Sequence, residues 1–298
     1  MILSTQNSHL VGTYGQEGAI DVLKEAGYDA IDMSLFCMSN DGDVFNSDGY
    51  KKRALEIRAY ADQKGIAFNQ SHAPFVFNWK NPNEYAERMV PRVIRALEIT
   101  ALLGAKISIV HPISPIEYLG HEEEIFEMNM KFYRELLPYA KEFDVKIALE
   151  NMWQHERKRK VIGANACSHG AEFVRYLDAL NDERFVACLD LGHCGLVGEE
   201  PQKAIRILGH DRLKALHIHD NDYRNDTHTM PYLSDMNWEE IMKALAAIRY
   251  DGEFTYEADA FLIHFPADYK PRAVKFMVDT ARYLIGKYEH YLAENTNA

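Results

Sequence analysis

The amino-acid sequence predicts a single (β/α)8 barrel, the TIM-barrel form of the α/β class, with residues 1–298 as one domain. Three observations carry this. Eight short β-rich runs recur along the chain, stretches of helical period separate them, and no composition break, low-complexity tract or Pro/Gly-rich linker interrupts the alternation. A length of 298 residues suits one barrel or two ordinary domains, and the uninterrupted alternation favours the barrel.

The strands are expected at 2–7 (ILSTQN), 29–35 (DAIDMSL), 66–71 (IAFNQS), 106–111 (KISIVH), 145–150 (VKIALE), 185–190 (FVACLD), 213–219 (LKALHIH) and 253–258 (EFTYEA). Between the first two, "QEGAIDVLKEAG" puts Ile20, Val22, Leu23 and Ala26 towards one face of a helix that ends on glycine. Before the last, "NWEEIMKALAAI" opens with Asn237 as N-cap and Glu240 three residues on, a capping-box arrangement. An open doubly wound sheet is the alternative, but it lacks a GxGxxG after the first strand.

Composition narrows the function. With 47% hydrophobic residues the chain is globular, and 33 basic against 45 acidic residues give −12, which repels phosphate backbones and anionic membranes. Nucleic acid and membranes are therefore not expected as partners. The start "MILSTQNSHL" does not read as a signal peptide, and no apolar stretch approaches a membrane span. Four cysteines (Cys37, Cys167, Cys188, Cys194) without a CxxC pair suit a reduced cytoplasm, and Cys188 and Cys194, near the acidic cluster, read as small buried thiols.

Barrel enzymes carry their chemistry at the C-terminal strand ends. There the third strand leads to Ser71-His72 and the fourth to His111. The fifth leads to Glu150-Asn151, the sixth to Asp190 and His193, the seventh to His217-Ile-His219-Asp220 and the eighth to Glu257-Ala-Asp259. Six consecutive strands thus end in histidine or carboxylate. Two glutamates, an aspartate and a histidine converging there would repel one another without a cation, and they suit one divalent ion, Mn²⁺ first, with Mg²⁺, Co²⁺ or Zn²⁺ as alternatives. His217 and His219 share a face. His219, nearer the strand end, is the better ligand, while His217 reads equally as a support or a core residue. Asp220 and Asp222 either cap a helix or hold a ligand histidine.

The short motifs "ALEN", "LDLGH", "HIHDND" followed by Asp226-Thr-His228, and "YEAD", each at its own strand end, resemble the xylose-isomerase-like metal-dependent barrels. These include ketose 3-epimerases, inosose isomerases and endonuclease IV. The resemblance covers nearly the whole chain and implies one ion held by Glu150, Asp190, His219 and Glu257, with His193 contacting substrate. His72, His111, Asp226 and His228 are further substrate-contact candidates, and Trp153 either walls the sugar carbons or anchors its loop. The implied activity is isomerisation or epimerisation of a sugar, sugar phosphate or polyol-derived ketone, Glu150 and Glu257 exchanging the proton through an enediolate. The chain lacks the G-E-x-N-R segment of the ketose epimerases, and "HTMPYLSDMNW" replaces the glycine-rich turn of other members.

The rival within the resemblance is an endonuclease IV-like phosphodiesterase, whose nine ligands for three zinc ions have counterparts in His72, His111, Glu150, Asp190, His193, His219, Asp226, His228 and Glu257. The acidic charge weighs against it; only "HERKRK" (155–160) is basic, a solvated loop or a cap that brings Arg159 or Lys160 over the mouth. A lyase or dehydratase, or a sugar-binding subunit on the same barrel, completes the alternatives. A homo-oligomer is compatible with all of them.

Overall fold

The computed structural model describes residues 1–75 and 84–297. Six parallel strands form one curled sheet in the order β2 (Ala30–Ser34), β3 (Ala67–His72), β4 (Ile107–Val110), β5 (Lys146–Glu150), β8 (Phe185–Asp190) and β9 (Leu213–His217). β1 (Leu3–Thr5) and β10 (Phe254–Tyr256) pair in parallel with each other. Single bridges, Gln6 to Asp32 and Ile218 to Tyr256, link this pair to β2 and β9, the two edges of the six-stranded sheet. Each expected strand is present, shortened by a residue or more at most ends.

Helices follow the strands: α1 (Ser8–Ala26), α2 (Tyr50–Lys64), α3 (Val90–Leu103), α4 (Glu122–Glu142), α5 (Gly170–Leu180), α6 (Leu191–Leu196), α7 (Pro201–Arg212), α8 (Trp238–Ala247) and α9 (Lys270–Asn297). The α1 stripe buries Ile20, Leu23 and Ala26, and Gly27 closes it at φ 104°, a left-handed conformation that glycine adopts without a Cβ clash. Val22, expected on that stripe, is half-buried. Asn237 caps α8, its side chain accepting from the Glu240 amide at 3.2 Å.

One element departs from the expectation. The segment after Glu150 is an antiparallel hairpin of β6 (Trp153–Glu156) and β7 (Val161–Ala164). The basic run forms its end, with Lys160 at φ 55°. Arg159 is bound to Glu156 of the same hairpin.

Among the described residues two apolar clusters hold the fold. The larger fills the space between sheet and helices. The smaller comprises Ile109, Ala148, Val186, Cys188 and Ala215, from β4, β5, β8 and β9. Side chains alternate along a strand, so residues two positions on share its face. That rule sets His111, Glu150, Asp190 and His217 directly above this small cluster, at the C-terminal strand ends.

Candidate metal centre

The deepest part of the site surrounds Glu150, which is 1% exposed. Its Oε1 lies 2.9 Å from His217 Nδ1, and its Oε2 lies 2.9 Å from His111 Nε2 and 3.3 Å from His72 Nε2. Oε2 nevertheless makes no hydrogen bond of proper geometry, so two imidazole nitrogens crowd a carboxylate oxygen without bonding it well. His217 Nδ1 also lies 3.2 Å from Glu257 Oε2. Ligand atoms of Glu150, Asp190, His217 and Glu257, all buried, fall within 4.8 Å of one another, as do those of His72, Glu150 and His217.

A second donor set lies beside the first. His193, His219, Asp226 and His228 bring one ligand atom each within 4.8 Å. His219 Nε2 bonds Asp190 Oδ1 at 2.9 Å, and its ring stacks on His228 with centroids 4.0 Å apart. His228 Nε2 lies 3.2 Å from Asp226 Oδ1, and its Nδ1 bonds the Glu257 carbonyl at 2.7 Å. Gly192 makes the His219 pose feasible: a Cβ there would stand 2.0 Å from the ring's Cε1.

The supports are built from neighbouring strand ends. Asn151 donates to the Asp190 carbonyl at 2.9 Å and accepts from the Asp190 amide at 2.7 Å, tying β5 to β8. Asp190 Oδ1 accepts from the His193 amide at 2.8 Å, capping α6. Asp220, fully buried, anchors the 221–237 loop that carries Asp226 and His228. Its Oδ1 accepts from the Asn221 and Met236 amides at 2.9 and 3.1 Å, and its Oδ2 from the Tyr232 amide and Trp238 Nε1 at 3.0 and 2.8 Å. Asp222 caps the next turn, accepting from the Arg224 and Asn225 amides. Trp153 Nε1 donates to Asp226 Oδ2 at 3.1 Å, so this residue anchors the loop.

Electrostatics follow from burial among opposite charges. Burial raises the Glu150 carboxyl, but His217 and His111 outweigh it and hold it well below the usual range. Glu257 is likewise held low, by His217 and His228 against burial. Burial lowers His193, yet Asp190 and Asp226 raise it to about 10. His217 is also held well above its ordinary value against burial, and beside the Cys188 sulfur it is the Glu257, Glu150 and Asp32 carboxylates that raise it. The neighbouring Cys188 thiol, pushed up to about 12 by burial, is uncharged at neutral pH. His111 faces the same carboxylate as His217, but burial dominates and lowers it.

The structure therefore gathers Glu150, Asp190 and Glu257, and the imidazole sharing their position is His217. His219 sits on the outer side of Asp190 with His193, Asp226 and His228, while His72 and His111 flank Glu150. Sequence reasoning overlooked Asp32, a fully buried carboxylate on β2 whose Oδ2 lies 3.4 Å from His217 Nε2. Its position inside an ordinary-looking strand gave no signal. Three carboxylates with imidazole nitrogens are a donor set suited to a divalent ion, and the unbonded buried Oε2 of Glu150 fits that chemistry.

Residues 20–277 match the model of the xylose isomerase-like TIM barrel family. The chain belongs to that family. A further relative is the uncharacterized protein MJ1311 of Methanocaldococcus jannaschii, 29% identical over 191 residues, which span 62% of this chain and 62% of that protein. Among solved structures, a D-tagatose 3-epimerase-like protein superposes with TM-score 0.74 at 20% identity, covering 99% of this chain and all of that one. An L-ribulose 3-epimerase gives 0.73 at 17%, covering 100% and 99%. At such identities these likenesses show the fold shared across this barrel family.

Proposed function

We propose that this xylose isomerase-like barrel is a divalent-metal-dependent isomerase or epimerase of a sugar, sugar phosphate or polyol-derived ketone. The observation that carries the reading is the buried convergence of Glu150, Asp190, His217 and Glu257 at the strand ends. Those four would hold the ion, Mn²⁺ first among Mg²⁺, Co²⁺ and Zn²⁺. His217 takes the place that the motif resemblance gives to His219. A bound ion would supply the positive charge that acidifies a C–H bond beside a substrate carbonyl.

The chain's own groups do the rest. Glu257 and Glu150, both held ionised, come from β10 and β5, so one can take a proton from a carbon between them and the other can return one. Glu150 can be recharged with a proton through His111, whose Nε2 lies 2.9 Å from its Oε2. His193, carrying a proton at neutral pH, donates to a substrate oxygen, and His72, His111, Asp226 and His228 complete the contacts. In this reading residues 1–298 form one domain whose eight strands close as a ring. It works in the cytoplasm on small molecules, alone or as a homo-oligomer. Among the described residues no helix is long and apolar enough to cross a membrane.

The test is incubation of the Mn²⁺-loaded protein with a ketose panel in deuterated water. Deuterium should appear at the reacting carbon of the product, and Glu257→Gln should lose roughly 10²–10⁴-fold in turnover. Product without deuterium points to hydride transfer, and no product from any sugar overturns the reading. One observation favours a rival: the outer set of His193, His219, Asp226 and His228 could hold further ions, as a multi-zinc phosphodiesterase requires. Three ions per chain with incision of abasic DNA would establish it, whereas the net charge of −12 supports the sugar enzyme.

A further inference from the structure

Asp32 is a buried carboxylate beside the site that no ligand set among the described residues uses. It lies on β2, fully buried, and Gln70 Nε2 donates to its Oδ2 at 2.9 Å. The same oxygen faces His217 Nε2 at 3.4 Å. Neither Asp32 Oδ1 nor His217 Nε2 has a hydrogen-bond partner among the described residues. A buried carboxylate with one amide donor is poorly compensated, and among the described residues its ion-pair partner is this imidazole. The other ring nitrogen, Nδ1, is turned to Glu150 Oε1 and Glu257 Oε2.

We propose that Asp32 is a positioning residue that accepts the Nε2–H of His217 and thereby presents the Nδ1 lone pair to a divalent ion among Glu150, Asp190 and Glu257. This rests on the metal reading above. A neutral imidazole carries one proton, and the acceptor at one nitrogen decides which nitrogen keeps it. Without Asp32 the proton is free to sit on Nδ1, where it blocks the ligand position. Gln70 holds the carboxylate at the β2–β3 seam, where Asp32 and Gln70 are register partners.

The test uses full-length protein, Zn²⁺ as the probe, and the variants Asp32→Ala and Asp32→Asn. Zn²⁺ affinity is titrated, and the His217 tautomer is read from its ring ¹⁵N signals, assigned with a His217→Gln control. Wild type should bind Zn²⁺ with the proton on Nε2. Asp32→Ala should bind roughly 10–100-fold more weakly and lose that tautomer preference. Asp32→Asn, nearly the same shape and still an acceptor, should keep the tautomer and recover part of the affinity, which also covers the case that the alanine variant fails to fold. If wild type binds Zn²⁺ and Asp32→Asn alters neither affinity nor ring signals while Asp32→Ala only lowers stability, Asp32 is merely structural and the proposal falls. If wild type binds no Zn²⁺, the metal reading fails and takes the proposal with it.

Discussion

Replacing Asp220 by asparagine changes one atom, yet it should loosen the whole loop that carries Asp226 and His228. Each carboxylate oxygen accepts two hydrogen bonds: Oδ1 from the Asn221 and Met236 amides, Oδ2 from the Tyr232 amide and Trp238 Nε1. An asparagine amide offers one oxygen and one NH2. Whichever way it is flipped, two N–H donors then face a third donor and lose their acceptor. Each buried donor left unmade costs about 1–3 kcal/mol, and because the two are neighbours a joint loss of about 2–4 kcal/mol is expected. Thermal unfolding should fall by roughly 3–6 °C. Amide exchange should quicken across residues 221–237 more than across the strands. A melting point within a degree or two of wild type, with loop exchange unchanged, would refute the anchoring role.

Three further outcomes are expected. Gly192→Ala sets a Cβ 2.0 Å from His219 Cε1, so the ring must swing off Asp190 at a cost of about 1–3 kcal/mol; an unchanged denaturant midpoint with His219 still on Asp190 would contradict this. Burial raises Glu172 to about 7 although Tyr118 donates to it. Its protonated form therefore favours the fold, and this stability is complete below the unfolded value of 4.5 and lost as pH rises to about 7. The change is at most about 3 kcal/mol, and Glu172→Gln should flatten the difference in urea midpoint between pH 5 and pH 8. An equal slope in both proteins would sink that assignment. Since His217, His228 and His193 all hold protons at neutral pH, loading a divalent ion should expel protons, so calorimetric heats should vary with the buffer's ionisation enthalpy. Heats independent of buffer would contradict it.

The strand ends were legible because each short apolar run stops at a polar residue, and period two aligns those residues on one face. That same regularity favoured His219, nearer the strand end, and left His217 as either a support or a core residue. Both point the same way, and the tertiary path alone separates them: β9 stops at His217, and Ile218 then bridges to Tyr256. The β6–β7 hairpin escaped notice because its two four-residue strands are polar or glycine-containing and their pairing is local. Asp32 escaped because one aspartate in a β-rich run reads as an ordinary outward-facing position; its burial depends on β2 standing across the interior from His217. Asp220 reads in sequence as a helix cap or the support of a ligand histidine, but its four donors come from positions up to 18 residues away.

The bond from Trp153 to Asp226 joins two excursions that leave the barrel 73 residues apart in sequence. Neither the hairpin nor the loop can be exchanged alone. A laboratory that transplants the 221–237 segment from another member to change substrate choice inherits a tryptophan with no acceptor, and one that swaps the hairpin takes the indole donor from Asp226 Oδ2. Successful grafts in this barrel should therefore arrive as matched pairs, and selection in the laboratory should find compensating changes across the mouth before it finds them within either segment.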